Sequence, residues 1–226
     1  MSSEGRGRRI GIVSDGKPGH LNQSRGLAEA IARLRPHVSI EEFSRWSRLK
    51  VWGRTFLPGD EGRGLTLLIG AGHGTHGTLL ALRRSAGCPA IVLMTPSLPH
   101  KSFDRVVAPR HDGGRESARY WLTDGSRNRV VPGRKDENRG VILIGGPSDH
   151  FEWRESALIG QIARLCDGSV QWQLTTSRRT PPGFLRTLRE LRLPGLESWA
   201  FHALPDEWLG ETLSRSDRCW VTPDSA

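Results

Sequence analysis

The stretch Ser14-Asp15-Gly16-Lys17-Pro18-Gly19-His20 brings a carboxylate, an ammonium and an imidazole together over a few residues. An imidazole titrates near neutral pH, so His20 could take a proton from an attacking hydroxyl while Asp15 holds its ring. Gly16 and Gly19 allow close backbone approach to a ligand, and a helix opening here would favour an anion. The spacing is not that of a Walker A loop. The plainer alternative is a tight Gly/Pro turn carrying a surface histidine.

A second Gly-rich stretch, Gly70-Ala71-Gly72-His73-Gly74-Thr75-His76-Gly77, matches G-x-G-x-x-G formally at Gly72, Gly74 and Gly77. The following apolar run leads into Met94-Thr95-Pro96 without a capping acid, so the ribose-binding half of a dinucleotide fingerprint is missing. His73 and His76 resemble a metal pair but lack a third nearby ligand, and substrate contact or helix capping fits them better. In His111-Asp112-Gly113-Gly114 the carboxylate could set the histidine tautomer, or the histidine could be incidental to a turn.

Three polar loops follow in the second half. Gly145-Gly146-Pro147-Ser148 offers backbone amides and a hydroxyl to a diphosphate. Thr175-Thr176-Ser177-Arg178-Arg179-Thr180-Pro181 offers hydroxyls and two guanidiniums suited to phosphate or sugar. A solvated basic turn is the alternative for that segment. Val221-Thr222-Pro223-Asp224-Ser225 ends a third apolar run.

The elements that must position these loops form a βα rhythm, which predicts parallel sheets. Strands are predicted at Arg9–Ser14, Leu65–Ile69 and Ala90–Met94, with weaker ones at Arg105–Ala108 and Tyr120–Thr123. Helices are predicted at Asn22–Leu34 and through Leu79, Leu80 and Leu82. Pro132–Arg139 is polar and turn-forming and reads as a linker. The rhythm then restarts with strand Val141–Ile144, helix Trp153–Leu165, strand Val170–Thr175 and helix Pro182–Leu191. A short strand near Trp199–Phe201, helix Asp206–Leu213 and strand Arg218–Thr222 complete it. The expected fold is α/β, with two Rossmann-like domains facing a cleft, residues 1–133 and 140–226. A βα unit should continue into a helix after Val221–Ser225, so either the last strand is an uncovered edge or the sequence is a shortened member of something longer, and the second domain is expected to be incomplete.

Across 226 residues the net charge is +9 and hydrophobic residues make up 36%, enough for a core. Lys occurs only at 17, 50, 101 and 135, so the charge is carried mainly by scattered Arg. Such a balance fits a solvated basic surface, a phosphate-bearing ligand, an anionic membrane surface or nucleic acid. The eight Trp do not interleave with basic residues as base-stacking platforms would, which argues against nucleic acid. Cys88, Cys166 and Cys219 are odd in number and widely spaced, as reduced thiols are. No apolar run is long enough to cross a bilayer, and Met1–Arg9 is no secretory signal. A cytoplasmic location is expected, with peripheral attachment at the inner membrane as a further expectation.

The first loop with Asn22 and Gln23, then Gly145-Gly146-Pro147-Ser148, Thr176-Ser177-Arg178-Arg179-Thr180-Pro181 and Val221–Ser225, occur in an order that resembles the mitochondrial-fission "elongated mitochondria" (ELM) family. Its bacterial members are candidate glycosyltransferases. The resemblance implies a GT-B-like arrangement: a nucleotide-sugar donor on the second domain, an acceptor facing the first, and no metal or other cofactor at the chemical step. A loop ending in Gly-His is also similar to that of the lipid-linked peptidoglycan N-acetylglucosamine transferase. By that analogy His20, held by Asp15, is the acceptor-side base. Lys17, Arg178 and Arg179 neutralise the diphosphate. Gly145, Gly146, Ser148, Thr176, Ser177, Thr222, Asp224 and Ser225 are expected, on the same resemblance, to line the donor site. Gly16, Gly19, Asn22, Gln23, Gly72, His73, His76 and His111 lie on the acceptor side. The family's helix after the last loop is missing here, which implies a protein partner or second copy over that edge. The other function implied by the family is a non-catalytic recruiting scaffold.

Overall fold

The computed structural model describes residues 7–148 and 152–223. It is a mixed α/β chain dividing into two compact units, Met1–Arg129 and Val130–Ala226.

The first unit is built on β1 (Arg8–Ser14), whose Ile10, Gly11, Ile12 and Val13 are all buried. An unbroken buried run marks a strand covered on both faces, the signature of a central parallel strand. Around it lie β2 (Val38–Ser44), β3 (Leu67–Ala71), β4 (Ala90–Leu93), β5 (Arg105–Pro109) and β6 (Tyr120–Thr123), in the order β2-β1-β3-β4-β5-β6, every pair parallel. Helix α1 (Pro18–Leu34) closes one face over Ile10, Ile12, Ile69 and Leu93. Helix α3 (His76–Ala86) closes the other over Val13, Leu68, Val92 and Phe103. The order turns about β1, so its carboxyl end and that of β3 flank the switch point where open α/β sheets leave a crevice.

Helix α1 begins four residues before the apolar periodicity does, because Pro18 occupies its first turn, where a missing N–H costs nothing. Asn22 and Gln23 are therefore helical. Between Leu34 and Leu65 the sequence assigned no element, yet β2 and α2 (Arg48–Phe56) lie there. Edge strand β2 exposes Glu41 and Glu42, which pair with Arg9 and Arg25. Helix α2 is capped by Ser47, whose hydroxyl accepts from the Lys50 amide at 3.3 Å.

The second unit holds β7 (Asp136–Leu143), β8 (Gln171–Thr175), β9 (Leu196–Trp199) and β10 (Ser216–Val221) in the parallel order β10-β7-β8-β9. Helices α4 (Glu155–Leu165) and α5 (Phe184–Glu190) contribute Leu158, Ile162, Phe184 and Leu188 to a core with Ile142, Trp172 and Leu174. Helix α6 (Trp208–Arg215) precedes β10. The expected linker is corrected in part: from Asp136 onward it is strand, with Asp136 opposite Ser216 of β10. That half of β7 is exposed, so no apolar residue marked it. No helix among the described residues is long and apolar enough to cross a membrane.

Candidate functional site

At the switch point of the first unit, His20 lies in the first turn of α1 and faces back to the loop after β1. Its Nδ1 is 2.9 Å from Asp15 Oδ2, with the two side chains 18% and 5% exposed. Asp15 Oδ1 also accepts from the Lys17 amide at 3.2 Å. Burial pushes the Asp15 pKa up. The His20 hydrogen bond, the Lys17 amide and the charges of both residues outweigh it, so the carboxyl stays below its ordinary 3.8. An ionised carboxylate only accepts, so Nδ1 carries the proton and Nε2 remains the basic nitrogen. Gly16, Lys17, Pro18 and Gly19 are exposed, and a Cβ added at Gly16 or Gly19 would meet nothing within 4 Å. The loop is open to solvent.

The glycines of the second loop admit side chains of this chain. A Cβ at Gly72 would stand 2.3 Å from the His20 ring, one at Gly74 2.9 Å from Asp15 Cβ, and one at Gly77 3.1 Å from Val51 of α2. The Gly72–Gly77 pattern thus seats the Asp15–His20 pair and the neighbouring helix. His73 is exposed, whereas His76 is buried with its ring 5.3 Å from Phe103 and 5.9 Å from His73. Burial, and secondarily the charge of His73, holds the His76 pKa below its ordinary 6.5. His111, exposed after β5, lies 3.6 Å from Asp112, whose other oxygen accepts from the Thr95 amide at 3.2 Å. Asp112 therefore fixes the loop after β4 as well as facing its histidine. No group of three or more His, Cys, Asp or Glu that could hold a metal occurs among the described residues.

In the second unit, the loops after β7, β8 and β10 are bound to one another. The Gly145 amide donates to buried Thr222 Oγ1 at 2.8 Å. The Thr180 hydroxyl donates to the Gly145 carbonyl and accepts from the Ser177 amide at 2.8 Å. A Cβ at Gly146 would lie 2.2 Å from the Arg179 carbonyl oxygen, so glycine is required where the two loops cross. Ser177 Oγ accepts from the Arg179 amide, and Thr176 Oγ1 from the Phe201 amide, each at 3.2 Å. Arg178 and Arg179 are exposed at this rim, and Ser148 is half-buried at its edge. Asp224 and Ser225 lie outside the described residues.

The chain was also compared with known protein families. A family model described as "Mitochondrial fission ELM1" matches residues 18–226. The chain belongs to the mitochondrial fission ELM1 family. A search of the curated proteins gave no significant match. The ELM1 match takes in His20, the Gly72–Gly77 loop and all three loops of the second unit, while Asp15, Gly16 and Lys17 stand just ahead of it.

This ELM1-family chain also has a cavity of about 720 Å³ beside the pair, lined by Arg45, Trp46, Arg48, Trp52, Phe56 and His73 among others. Gly74, which abuts Asp15, is also in its wall. Sequence reading missed it because α2 went unassigned; the cluster of Trp46, Trp52 and Phe56 with Arg45 and Arg48 was the available signal. A smaller cavity of about 360 Å³ in the second unit runs from Glu152 and Gln161 to Trp220 and Thr222.

Proposed function

We propose that the chain is a glycosyltransferase of GT-B type, with the first unit on the acceptor side and the second on the nucleotide-sugar side. The observation that carries this reading is the Asp15–His20 pair, 2.9 Å apart, one member nearly buried and the other presenting a basic nitrogen at an open loop. In the proposed reaction His20 Nε2 takes the proton of an acceptor hydroxyl. The hydroxyl oxygen forms a bond to the anomeric carbon as the bond from that carbon to the diphosphate breaks. The nucleoside diphosphate leaves with the bonding electrons, and Asp15 stabilises the imidazolium that forms. Exposed Arg178 and Arg179 supply the cationic rim that diphosphate departure calls for. Lys17, exposed in the first loop, is a further cation for the phosphates.

The test is calorimetry of UDP and GDP binding to the whole chain and to Arg178→Ala, preceded by a thermal-shift panel of UDP-, GDP-, ADP-, dTDP- and CMP-sugars. One nucleotide class should raise the melting temperature, and the substitution should weaken that binding about tenfold, the loss of one charged hydrogen-bond partner. Equal affinity in the variant overturns the role of Arg178. A folded chain indifferent to every nucleotide overturns the transferase reading in favour of a recruiting scaffold.

A further inference from the structure

Helix α2 turns an apolar row away from its own core. Val51 packs against Gly77 of α3, but Leu49, Trp52, Phe56 and Leu57 are 83%, 68%, 65% and 74% exposed. Positions 49, 52 and 56 fall on one helical face, and Leu57, the residue after the helix, is exposed as well. Single exposed apolar residues are ordinary, but three large ones on one short helix, with a fourth directly after it, mark a surface that docks.

The charge around the row selects the partner. From Arg45 to Gly59 the sequence holds Arg45, Arg48, Lys50 and Arg54 and no acidic residue. Glu61 offsets Lys50 at 3.6 Å and Arg54 at 2.8 Å. Arg45 and Arg48 have no ion-pair partner among the described residues, so net positive charge remains beside the row. Trp and Phe flanked by uncompensated arginine match a layer that is apolar below and anionic above, and an indole favours the headgroup level.

We propose that α2 is a membrane-interfacial helix that lays Leu49, Trp52, Phe56 and Leu57 into the headgroup–acyl boundary of an anionic phospholipid bilayer, with Arg45 and Arg48 on lipid phosphates. Trp52 and Phe56 also line the 720 Å³ cavity. His73 and Gly74 line the same cavity. The helix face carries this inference by itself, independently of nucleotide binding.

Flotation of the full chain, without nucleotide, on phosphatidylcholine vesicles with and without about 30% phosphatidylglycerol is the test. The chain should float with the anionic vesicles only, and less as salt rises. The double variant Trp52→Ser/Phe56→Ser should partition at least about tenfold more weakly, and Arg48→Glu about fivefold or more. All these side chains are exposed, so both variants should melt at the temperature of the parent chain. A chain that stays unbound to anionic vesicles, or a double variant that floats like the parent, overturns the proposal. It is also overturned if sedimentation shows that the double substitution abolishes self-association while vesicle binding is unaltered, which would make a second copy the occupant. None of these outcomes depends on whether Arg178 binds a nucleotide.

Discussion

The imidazole of His20 rests on the backbone of Gly72, so near that a Cβ at position 72 would stand 2.3 Å from its Nδ1 and Cε1. Gly72 is also held at φ 79° and ψ 157°, a conformation that essentially only glycine adopts. Gly72→Ala should cost about 1–3 kcal/mol from backbone conformation alone and push the ring off Asp15. Urea unfolding gives the first quantity. Loss of the hydrogen-bonded Nδ1 proton resonance of His20 gives the second, and a resonance unchanged in the variant would show that the ring is positioned by other contacts.

His76 makes stability depend on pH. Burial first, and His73 second, hold its folded pKa below 6.5, so the unfolded chain takes up the proton at a pH where the folded chain still resists it. The stabilisation is full above 6.5 and is lost as pH falls through the folded value. Urea midpoints should drop as pH falls below about 6.5, and His76→Leu should flatten that limb. Parallel curves for the two proteins would assign the dependence to other groups.

Removing the Thr222 hydroxyl leaves the Gly145 amide without the partner it has at 2.8 Å in a buried position. Thr222→Val should destabilise the second unit by about 1–3 kcal/mol, and Thr222→Ser should recover most of that. A Thr222→Val variant as stable as the parent would show that this hydrogen bond adds nothing to stability.

The thiols should separate by reactivity. Burial, reinforced by Asp167, pushes Cys166 up to about 11, and burial likewise raises Cys88. Burial of its sulfur raises the Cys219 thiol too, against the opposing charge of Lys135, but the residue is exposed on β10, so access sets it apart. A thiol-reactive chromophore should label Cys219 in the native protein and reach Cys88 and Cys166 only on unfolding. Mass mapping of the labelled sites reads this directly.

Buried parallel strands were legible because residues such as Ile10, Ile12, Val141 and Ile142 form apolar runs between turn residues. Strand β2 was not, because an edge strand with outward Glu41 and Glu42 looks like loop. With β2 went α2, whose apolar row faces outward rather than giving the core-directed periodicity that marks a helix. The first half of β7 hid for the same reason, its polar residues lying on an uncovered stretch. Within the candidate site, the Asp15–His20 pairing could be read from two nearby residues of complementary chemistry. The tie from Gly145 to Thr222 could not, because it joins positions 77 apart, and only the register of β7 with β10 brings them level. The roles of Gly72 and Gly74 were hidden likewise, since what they admit comes from another strand's loop.

The hydrogen bonds running from Thr222 through Gly145 to Thr180 have a consequence for the tempo of recognition. Three loops from three strands are immobilised together when the second unit folds, so their ordering entropy is settled before any anion arrives. In the proposed donor role, encounter would be governed by diffusion and by the pull of Arg178 and Arg179, with selectivity expressed in how long a ligand stays rather than in how quickly it enters.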